Sequence, residues 1–424
     1  MGKSFKRAWC FTLLSLVLSF GISLEEAERK ALAGFYEIKN QVLEVRKKEI
    51  EGKEKFSSFL PTINFEASYN FAREQSFSFG FPPLVTPQEF IFIKDRFPKY
   101  TLTLSQNLFS LPAIREYRLA RIEEESAREL LEEKRMKTLF EVRSAYINAL
   151  KAKASVEILE SQLEMINAHL RDVKSMYEEG LVTFKDLLET QVKAHEVQEK
   201  LTKARASYRK ALDYLSYLVG EKVEIVEEIE DGSVKILETD QEVLVQKLKN
   251  RPLLRSLAKN LEGASQMVSL AKSYFYPQIV LEAFFQRTEE SDLFPKDRFM
   301  VTFALRWNIF SGLKRFRLVQ KAGVGKLQVA ETVRDVEKRL MLELKSVLED
   351  IKTAEERIRL ARKQLETARE QLKVAKERYS QGIGTNTEVL SAQSQLTYAR
   401  QNLKMSTYDL KLFQYKLKEV IGDE

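Results

Sequence analysis

The chain of 424 residues has 31% charged residues with only 15 Gly and 9 Pro, a combination that is typical of long helices. Its formal net charge is +7, and about +4 remains without Lys3, Lys6 and Arg7 at the N-terminus. Because basic and acidic residues are interspersed, so small an excess does not indicate a protein that binds nucleic acid.

The first predicted element is a secretory signal peptide over residues 1–23. It combines a basic start, an apolar run from Cys10 to Phe20, and the small residues Gly21 and Ser23 at the point of cleavage. A membrane anchor is the less favoured alternative, because the run is shorter than the ~20 residues that a spanning helix needs. Cys10 is the only cysteine, so the mature chain would contain no disulfide and no cysteine-based metal site.

The rest of the chain contains the same pattern twice. The phrases YEEGLVTFKDLLETQ from Tyr177 and YSQGIGTNTEVLSAQ from Tyr379 share Tyr, Gly, Thr, Leu and Gln at a constant offset of 202 residues. We therefore predict a first structural repeat over residues 24–220 and a second over 240–424. Each has the order helix, β-hairpin, long helix, turn and long returning helix. The connector, residues 221–239, is acidic and β-branched and is predicted to form a strand or two.

Each repeat contains two stretches in which apolar and polar residues alternate, as they do in strands with one apolar face. We predict β-hairpins at about 62–108 and 278–307, with loops near 79–98 and 289–298. Aromatic residues near the strand ends favour a membrane barrel over a soluble sandwich. The residues predicted to face lipid are Phe65, Tyr69, Phe71, Tyr100, Leu102, Leu104, Leu281, Phe285, Phe303 and Trp307.

The number of strands leads to a prediction of the oligomeric state. One chain supplies four strands, and an open sheet cannot remain in lipid with unpaired edges. Two chains would supply eight strands, which enclose an interior that side chains fill, whereas three would supply twelve and leave room for a passage. We therefore predict a homotrimer with one shared barrel in the lipid of the outer membrane.

Long helices connect the hairpins to the two repeated phrases. No proline interrupts residues 113–251 or 296–424, so uninterrupted helices are predicted. At 1.5 Å per residue, the ~64 residues before the first phrase would span roughly 95 Å, which is too long for a compact domain. The helices that follow the phrases carry apolar or small residues at alternating spacings of three and four, which is the pattern of a coiled coil. The phrases themselves are predicted to be the tips of two helical hairpins, at about 177–186 and 379–388.

With these elements in place, the sequence resembles the TolC family of outer-membrane efflux proteins over essentially the whole mature chain. The resemblance rests on the order and duplication of SLEEAERKAL, FLPTINFEASYNF, LSQNLFS, the two tip phrases, NRPLLRSLAKNLEGASQMVSLAKSYFYPQIVLEAFF and LRWNIFSG. The segment GFYEIKNQ in the first repeat lacks the Asn-Pro pair that is usual in the family and that NRPLL approximates in the second repeat. This difference affects only the place at which one helix begins. The resemblance implies a mainly α fold with duplicated helical hairpins that form a periplasmic α-barrel, below a 12-stranded outer-membrane β-barrel formed by the trimer.

The resemblance also implies a function. The trimer would be the channel-tunnel, or exit duct, of a multi-component system for multidrug efflux or type I secretion. An inner-membrane pump would supply the energy and a periplasmic adaptor would join pump and duct, while the duct would hold no cofactor and perform no covalent chemistry. The alternatives are an exported coiled-coil scaffold or adhesin, a periplasmic adaptor and a hydrolase. The four alternating strands disfavour the scaffold or adhesin, and the duplicated pair of hairpins disfavours the adaptor. The hydrolase is disfavoured because the sequence shows no set of candidate catalytic residues.

The two tips carry most of the candidate functional residues. Glycine permits the positive φ of a tight turn, and a threonine hydroxyl can cap the helix that returns from it. In the family, exposed apolar residues at the tips contact the adaptor; turn packing is the alternative. The residues predicted to form the turns and the adaptor contact are Gly180, Leu181, Val182, Thr183, Gly382, Ile383, Gly384 and Thr385.

The resemblance places a periplasmic gate at the same tips. Asp186 and Tyr379 match a hydrogen-bonded pair that restrains opening, and Glu388 matches the first of two acidic positions that narrow the passage. Ser391 occupies the second acidic position, so the second ring of acidic side chains would be incomplete. Gly384 replaces a basic residue that helps to hold the tip closed in the family, so one of the closing contacts would be missing. The alternative roles are a packed aromatic for Tyr379 and ordinary helix acids for the other two.

The two histidines, His169 and His195, stand alone on predicted helices. Neither has the cysteine, histidine or carboxylate neighbours at the spacing of a metal site. We therefore predict that both have structural roles on the helix surface and that the chain has no metal site.

Overall fold

The computed structural model describes residues 21–80, 83, 84, 86–229, 240–291 and 293–423. The predicted signal peptide lies outside the described residues up to position 20, and the connector is described only over 221–229. The described helices are α1 (Leu24–Gly34), α2 (Tyr36–Ser57), α3 (Leu111–Glu178), α4 (Phe184–Val219), α5 (Gln241–Lys249), α6 (Pro252–Ser273), α7 (Lys314–Ser380) and α8 (Asn386–Ile421). The described strands are β1 (Thr62–Phe71), β2 (Gln75–Phe79), β3 (Gln88–Ile93), β4 (Arg96–Phe109), β5 (Gln278–Thr288) and β6 (Asp297–Arg306).

The chain divides into two compact units, and both repeats contribute to each. Unit 1 takes in Met1–Phe35, Lys137–Thr239 and Lys345–Glu419. Unit 2 takes in Tyr36–Met136, Asp240–Leu344 and Val420–Glu424. The duplicated sequence therefore does not fold as two separate domains. In the described part of the chain, no helix is both long enough and apolar enough to cross a membrane.

The sheet of unit 2 has the predicted strands in the order β1-β4-β5-β6, all antiparallel. Directly paired residues share one face of a sheet. Phe65 pairs with Leu102, Leu102 pairs with Phe285, and Phe285 pairs with Phe299. The alternation predicted in each strand thus becomes one apolar face that crosses all four strands. The opposite face carries polar pairs, among them the ion pair between Glu282 and Arg306.

A second, two-stranded sheet differs from the sequence prediction. β3 lies within the loop predicted at 79–98 and pairs with β2, which ends where that loop was predicted to begin. The ring of Phe77 stacks on Phe90 at 5.4 Å and on Phe92 at 4.7 Å between centroids. These aromatic contacts stabilise pairing across a connection with one glycine and three prolines, residue types that are typical of a loop.

The predicted coiled-coil pattern corresponds to a buried seam on both returning helices of unit 1. Leucine, valine and alanine side chains fill the seam, and small residues let neighbouring helices approach closely. The buried members are Leu187, Thr190, Ala194, Val197, Leu201, Leu215 and Leu218 on α4, and Val389, Ala392, Leu396, Ala399, Ser406 and Leu417 on α8. The long helices α3 and α7 are uninterrupted over 68 and 67 residues, as the absence of proline predicted.

The start of the described chain is built into the core of unit 1. Ile22 is buried and forms a single parallel bridge with Val226 of the connector. Its carbonyl accepts a hydrogen bond from the Tyr146 hydroxyl at 2.8 Å. Ser23 caps α1 by accepting the backbone N–H of Glu26. Residues 221–229 form this one bridge, because the chain on the other side turns into α1 at once, and the rest of the connector, in which a strand or two was predicted, lies outside the described residues up to position 239.

This packing leads to a prediction about processing. Cleavage after Ser23 would remove both the buried Ile22 and the cap of α1, whose loss alone costs about 1 kcal/mol. We therefore expect the mature chain to begin at or before Ile22, upstream of the boundary at residue 23 that the sequence suggested. Intact-mass measurement of the exported protein checks this. A mature mass that starts at Leu24 would contradict it.

Candidate functional site

The two predicted tips are built in the same way. Gly180 and Gly382 have φ values of 76° and 74°, a left-handed conformation that glycine adopts without strain. Leu181 donates its N–H to the carbonyl five residues earlier at 2.8 Å, and Ile383 does the same at 3.0 Å. These bonds satisfy carbonyls at the ends of α3 and α7 that have no helical partner. The shared turn geometry explains why the two phrases match in sequence.

The predicted N-caps are also present. Thr183 caps α4 by accepting the N–H of Asp186, whose carboxylate accepts in turn from the N–H and the hydroxyl of Thr183 at 3.0 and 2.6 Å. Thr385 accepts the N–H of Glu388 at 3.2 Å at the start of α8. Each tip therefore changes direction over a few residues between two capped helix ends.

The predicted pair of Asp186 and Tyr379 is not bonded in this structure. The carboxylate of Asp186 is engaged by Thr183, and the hydroxyl of Tyr379 is buried without a hydrogen-bond partner among the described residues. Burial, followed by the negative charges of Asp186 and Asp172, raises the pKa of Tyr379 above its ordinary value of 10.0. The two groups are thus close enough to interact electrostatically, and their hydrogen bond stays a prediction for the assembled protein.

The predicted acid Glu388 has a basic neighbour that the sequence did not reveal. The guanidinium of Arg378, at the end of α7, lies 3.7 Å from the Glu388 carboxylate, and both side chains are about half exposed. Gly384 packs so closely on α7 that a Cβ would lie 2.9 Å from the backbone nitrogen of Tyr379. Ser391 is exposed on α8. Arg378 therefore supplies a positive charge beside Glu388, close to Gly384.

The tip loops expose apolar side chains. Leu181 is 68% exposed and Ile383 is 65% exposed, whereas Val182 is half buried. Phe184, which the sequence prediction omitted, is also exposed and packs on Tyr177 at 5.7 Å between ring centroids. Exposed apolar residues at a hairpin tip are the type of surface that contacts a partner protein.

The structure also brings together three polar residues that sequence analysis missed as a group. His169 of α3, Thr190 of α4 and Asn386 of α8 are buried and bonded to one another. The prediction that His169 lies on the surface is wrong, because its ring packs edge-on against Tyr379 at 5.5 Å. His195 is exposed as predicted. Of the three bonded residues, only Thr190 occupies a position of the repeated spacing, on α4, so the sequence carried one signal for this group.

The residues predicted to face lipid lie on the apolar face of the sheet in unit 2. Side chains along that face are exposed in the single chain, at the periodicity that the alternation predicted. Trp307 follows β6 and donates its indole N–H to the carbonyl of Phe275 at 3.0 Å. The exposed members are Phe65, Tyr69, Phe71, Tyr100, Leu102, Phe285, Phe303 and Trp307, while Leu104 and Leu281 are half buried.

One further residue of α8 carries a stability prediction. Gln393 is fully buried, and neither atom of its amide group has a hydrogen-bond partner among the described residues. Burying an unpaired amide is unfavourable, so Gln393→Leu should raise the free energy of unfolding by about 1–2 kcal/mol. Thermal or denaturant unfolding of the purified protein measures this. The exposed Gln395 is the matched control, because Gln395→Leu should change stability by less than about 0.5 kcal/mol. A loss of stability in Gln393→Leu would contradict the prediction.

Comparisons with known proteins identify the family. A sequence model for the family described as Outer membrane efflux protein matches residues 29–221 and 243–423. No curated protein matches the sequence. The match with the family covers both repeats and includes both tips.

Solved structures show the same fold. CusC, whose structures concern transmembrane channel formation, is 17% identical, with 96% of this chain and 94% of that chain covered and a TM-score of 0.84. VceC, an outer membrane protein of Vibrio cholerae, is 18% identical, with coverages of 94% and 96% and a TM-score of 0.78. The CmeC outer membrane channel of Campylobacter jejuni is 16% identical, with coverages of 94% and 85% and a TM-score of 0.78. The chain therefore belongs to the outer membrane efflux protein family.

Proposed function

We propose that three copies of this chain close one channel across the outer membrane and extend it into the periplasm as a helical tube. The observation that carries the proposal is the sheet of unit 2, with its continuous apolar face and its edge strands β1 and β6. Unpaired strand edges are not stable in lipid, and three such sheets supply twelve strands, enough to enclose a passage. Membership in the outer membrane efflux protein family supports the same conclusion.

The channel would act passively, as the exit duct of an efflux or secretion system. An inner-membrane pump would deliver the substrate through a periplasmic adaptor, and the adaptor would contact the exposed Leu181 and Ile383 at the tips. The duct would perform no covalent chemistry. The described residues contain no group of three or more His, Cys, Asp or Glu that could hold a metal ion. An exported coiled-coil scaffold is the alternative; the buried seam would suit it, but it gives no role to the apolar sheet.

Two measurements on the purified mature protein test the proposal. Its mass in mild detergent should equal three chains, and it should form discrete conductance steps in a planar lipid bilayer. Trimers that insert into the bilayer but do not conduct would contradict the channel and would favour the scaffold hypothesis. Conductance from a protein that stays a monomer at every concentration would contradict the shared barrel.

The predicted gate pair has its own test. The buried Tyr379 hydroxyl has no acceptor among the described residues of one chain, so we propose that it bonds Asp186 in the closed trimer. Tyr379→Phe should then raise the open probability about five-fold, the effect of losing one hydrogen bond of ~1 kcal/mol. Single-channel recording measures this. Tyr177→Phe, at the matching position of the first repeat, should leave the open probability unchanged. If Tyr379→Phe and Tyr177→Phe have the same open probability, the pair of Asp186 and Tyr379 does not restrain opening.

A further inference from the structure

Asn386 connects the two helical hairpins at their tips. Helices α3 and α4 form one hairpin, and α7 and α8 form the other. The Asn386 Nδ2 atom donates to the Asp186 carbonyl at 3.1 Å and to the Thr190 hydroxyl oxygen at 3.0 Å, while its Oδ1 lies 2.8 Å from Nε2 of His169. One side chain of α8 thus bonds both helices of the other hairpin.

The chemistry of the partners fixes the direction of these bonds. A backbone carbonyl can only accept, so the amide nitrogen of Asn386 must face Asp186 and its oxygen must face His169. Nε2 of His169 therefore carries the proton and donates it. Thr190 in turn donates its hydroxyl to the Asp186 carbonyl at 2.8 Å. Nε2 of His169, both polar atoms of the Asn386 amide and the Thr190 hydroxyl thus each have a partner of the right type.

The junction is also shielded from water. Thr190 is 0% exposed, Asn386 is 2% exposed and His169 is 7% exposed. Hydrogen bonds in such surroundings are stronger than on the surface, and groups that lose their partners there are penalised. Farther from the tip, α3 and α8 are joined by the more accessible ion pair of Lys151 and Asp409, at 2.5 Å.

We propose that His169, Thr190 and Asn386 form a buried latch that holds the two hairpins together at their tips and resists opening of the duct. This inference rests on the proposed function, because it assumes that the tips separate when the duct opens. It differs from the predicted pair of Asp186 and Tyr379, since it uses the backbone carbonyl of Asp186 and not its carboxylate. Movement of α8 away from α3 and α4 breaks all the bonds of Asn386 together.

The surroundings of His169 make the latch sensitive to acid. Burial lowers the pKa of His169 below its usual 6.5, and the charge of Lys376 on α7 acts in the same direction. The bond to Asn386 on α8 and the charge of Asp172 on α3 oppose it. Glu377 and Tyr379 on α7 line the same cavity as His169, and α4 contributes the Thr190 hydroxyl, which is bonded to Asn386. A closed latch therefore disfavours the protonated ring, and its contribution is complete above pH 6.5 and lost as the pH falls through the lowered pKa.

A disulfide gives the direct test. The mature chain would contain no cysteine, since Cys10 lies in the predicted leader. In Thr190→Cys/Asn386→Cys, the two thiols replace side chains that touch at 3.0 Å. We expect oxidation to close the channel in planar bilayers and a reducing agent to open it above the wild-type level. A disulfide that forms, by mass, and leaves the conductance unchanged would overturn the latch.

Single substitutions keep the test independent of disulfide formation. Asn386→Leu should raise the open probability about ten-fold, whereas Asn402→Leu on the same helix, which loses a bond to Gln364 within its own hairpin, should not. His169→Gln retains a donor and should keep the channel closed but abolish the increase in opening between pH 7.5 and 5.5. Equal open probabilities for the two asparagine variants would overturn the proposal. Wild-type trimers that conduct nothing under any condition would instead contradict the proposed function.

Discussion

Glu133→Leu is expected to lower the free energy of unfolding by about 3–5 kcal/mol, the typical effect of removing one member of a buried ion pair. In unit 2, the carboxylate of Glu133 accepts from Nε and Nη2 of Arg251 at 3.0 and 2.7 Å, with side chains only 4% and 2% exposed. Arg251 also donates from Nη1 to the carbonyl of Val420 at 3.2 Å. Removal of Glu133 takes away two charge-assisted hydrogen bonds and the opposite charge beside a buried guanidinium.

Controls separate this effect from the loss of an ordinary surface charge. Glu331→Leu breaks an exposed pair with Arg334 of similar length, 2.6 Å, and should cost less than about 1 kcal/mol. The double variant Glu133→Leu/Arg251→Met replaces both charges by apolar groups and should recover most of the lost stability. Denaturant unfolding followed by the helical circular dichroism signal measures all three. A loss below about 1 kcal/mol for Glu133→Leu would show that the pair contributes little.

The elements that the sequence predicted are those with a simple period. The alternation in β1 and β4 located the strands to within a few residues, because every second side chain lies on one face of a sheet. The spacing of three and four on α4 and α8 predicted the seam for the corresponding reason in a helix. Gly180 and Gly382 marked the turns, since few other residues adopt their backbone conformation.

Polar contacts inside the helical parts could not be predicted in this way. Periodicity shows which face of an element is buried, but it does not show which polar residues on distant segments meet there. Glu133 and Arg251 are 118 residues apart, and His169 and Asn386 are 217 residues apart. A lone histidine on a charged helix has no pattern that distinguishes a buried position from an exposed one.

The sequence prediction missed the ribbon of β2 and β3 for another reason. Both strands alternate, with Phe77 and Phe79 of β2 on the same face of the ribbon as Phe90 and Phe92 of β3, but they are short. The residues between them include Gly80 and three prolines, which indicate a loop when they are considered alone. Only the pairing of the two strands shows that the loop is the end of a ribbon.

The last prediction concerns ion selectivity and depends on the proposed trimer. Three Glu388 carboxylates near the narrow end would attract cations, but each has the guanidinium of Arg378 at 3.7 Å within the same chain. The ring would therefore carry six charges that cancel, and the wild-type channel should discriminate only weakly between K⁺ and Cl⁻. Arg378→Gln exposes the carboxylates, whereas Glu388→Gln exposes the guanidinium groups, so the two variants should shift selectivity in opposite directions.

The size of the shift follows from Coulomb's law. Three unit charges at about 8 Å from an ion in water contribute roughly 1.5 kcal/mol, and screening at 0.1 M salt leaves about a third to a half of it. Because the same charges attract one ion and repel the other, we expect roughly a five- to ten-fold change in the permeability ratio, towards K⁺ in Arg378→Gln and towards Cl⁻ in Glu388→Gln, which becomes smaller at 1 M salt. Reversal potentials under a salt gradient measure it. Glu356→Gln, in an exposed pair with Arg359 elsewhere on α7, should leave the ratio unchanged. If Arg378→Gln and Glu388→Gln shift the permeability ratio in the same direction, Glu388 does not lie on the ion path. It would then be an ordinary acidic residue at the start of α8.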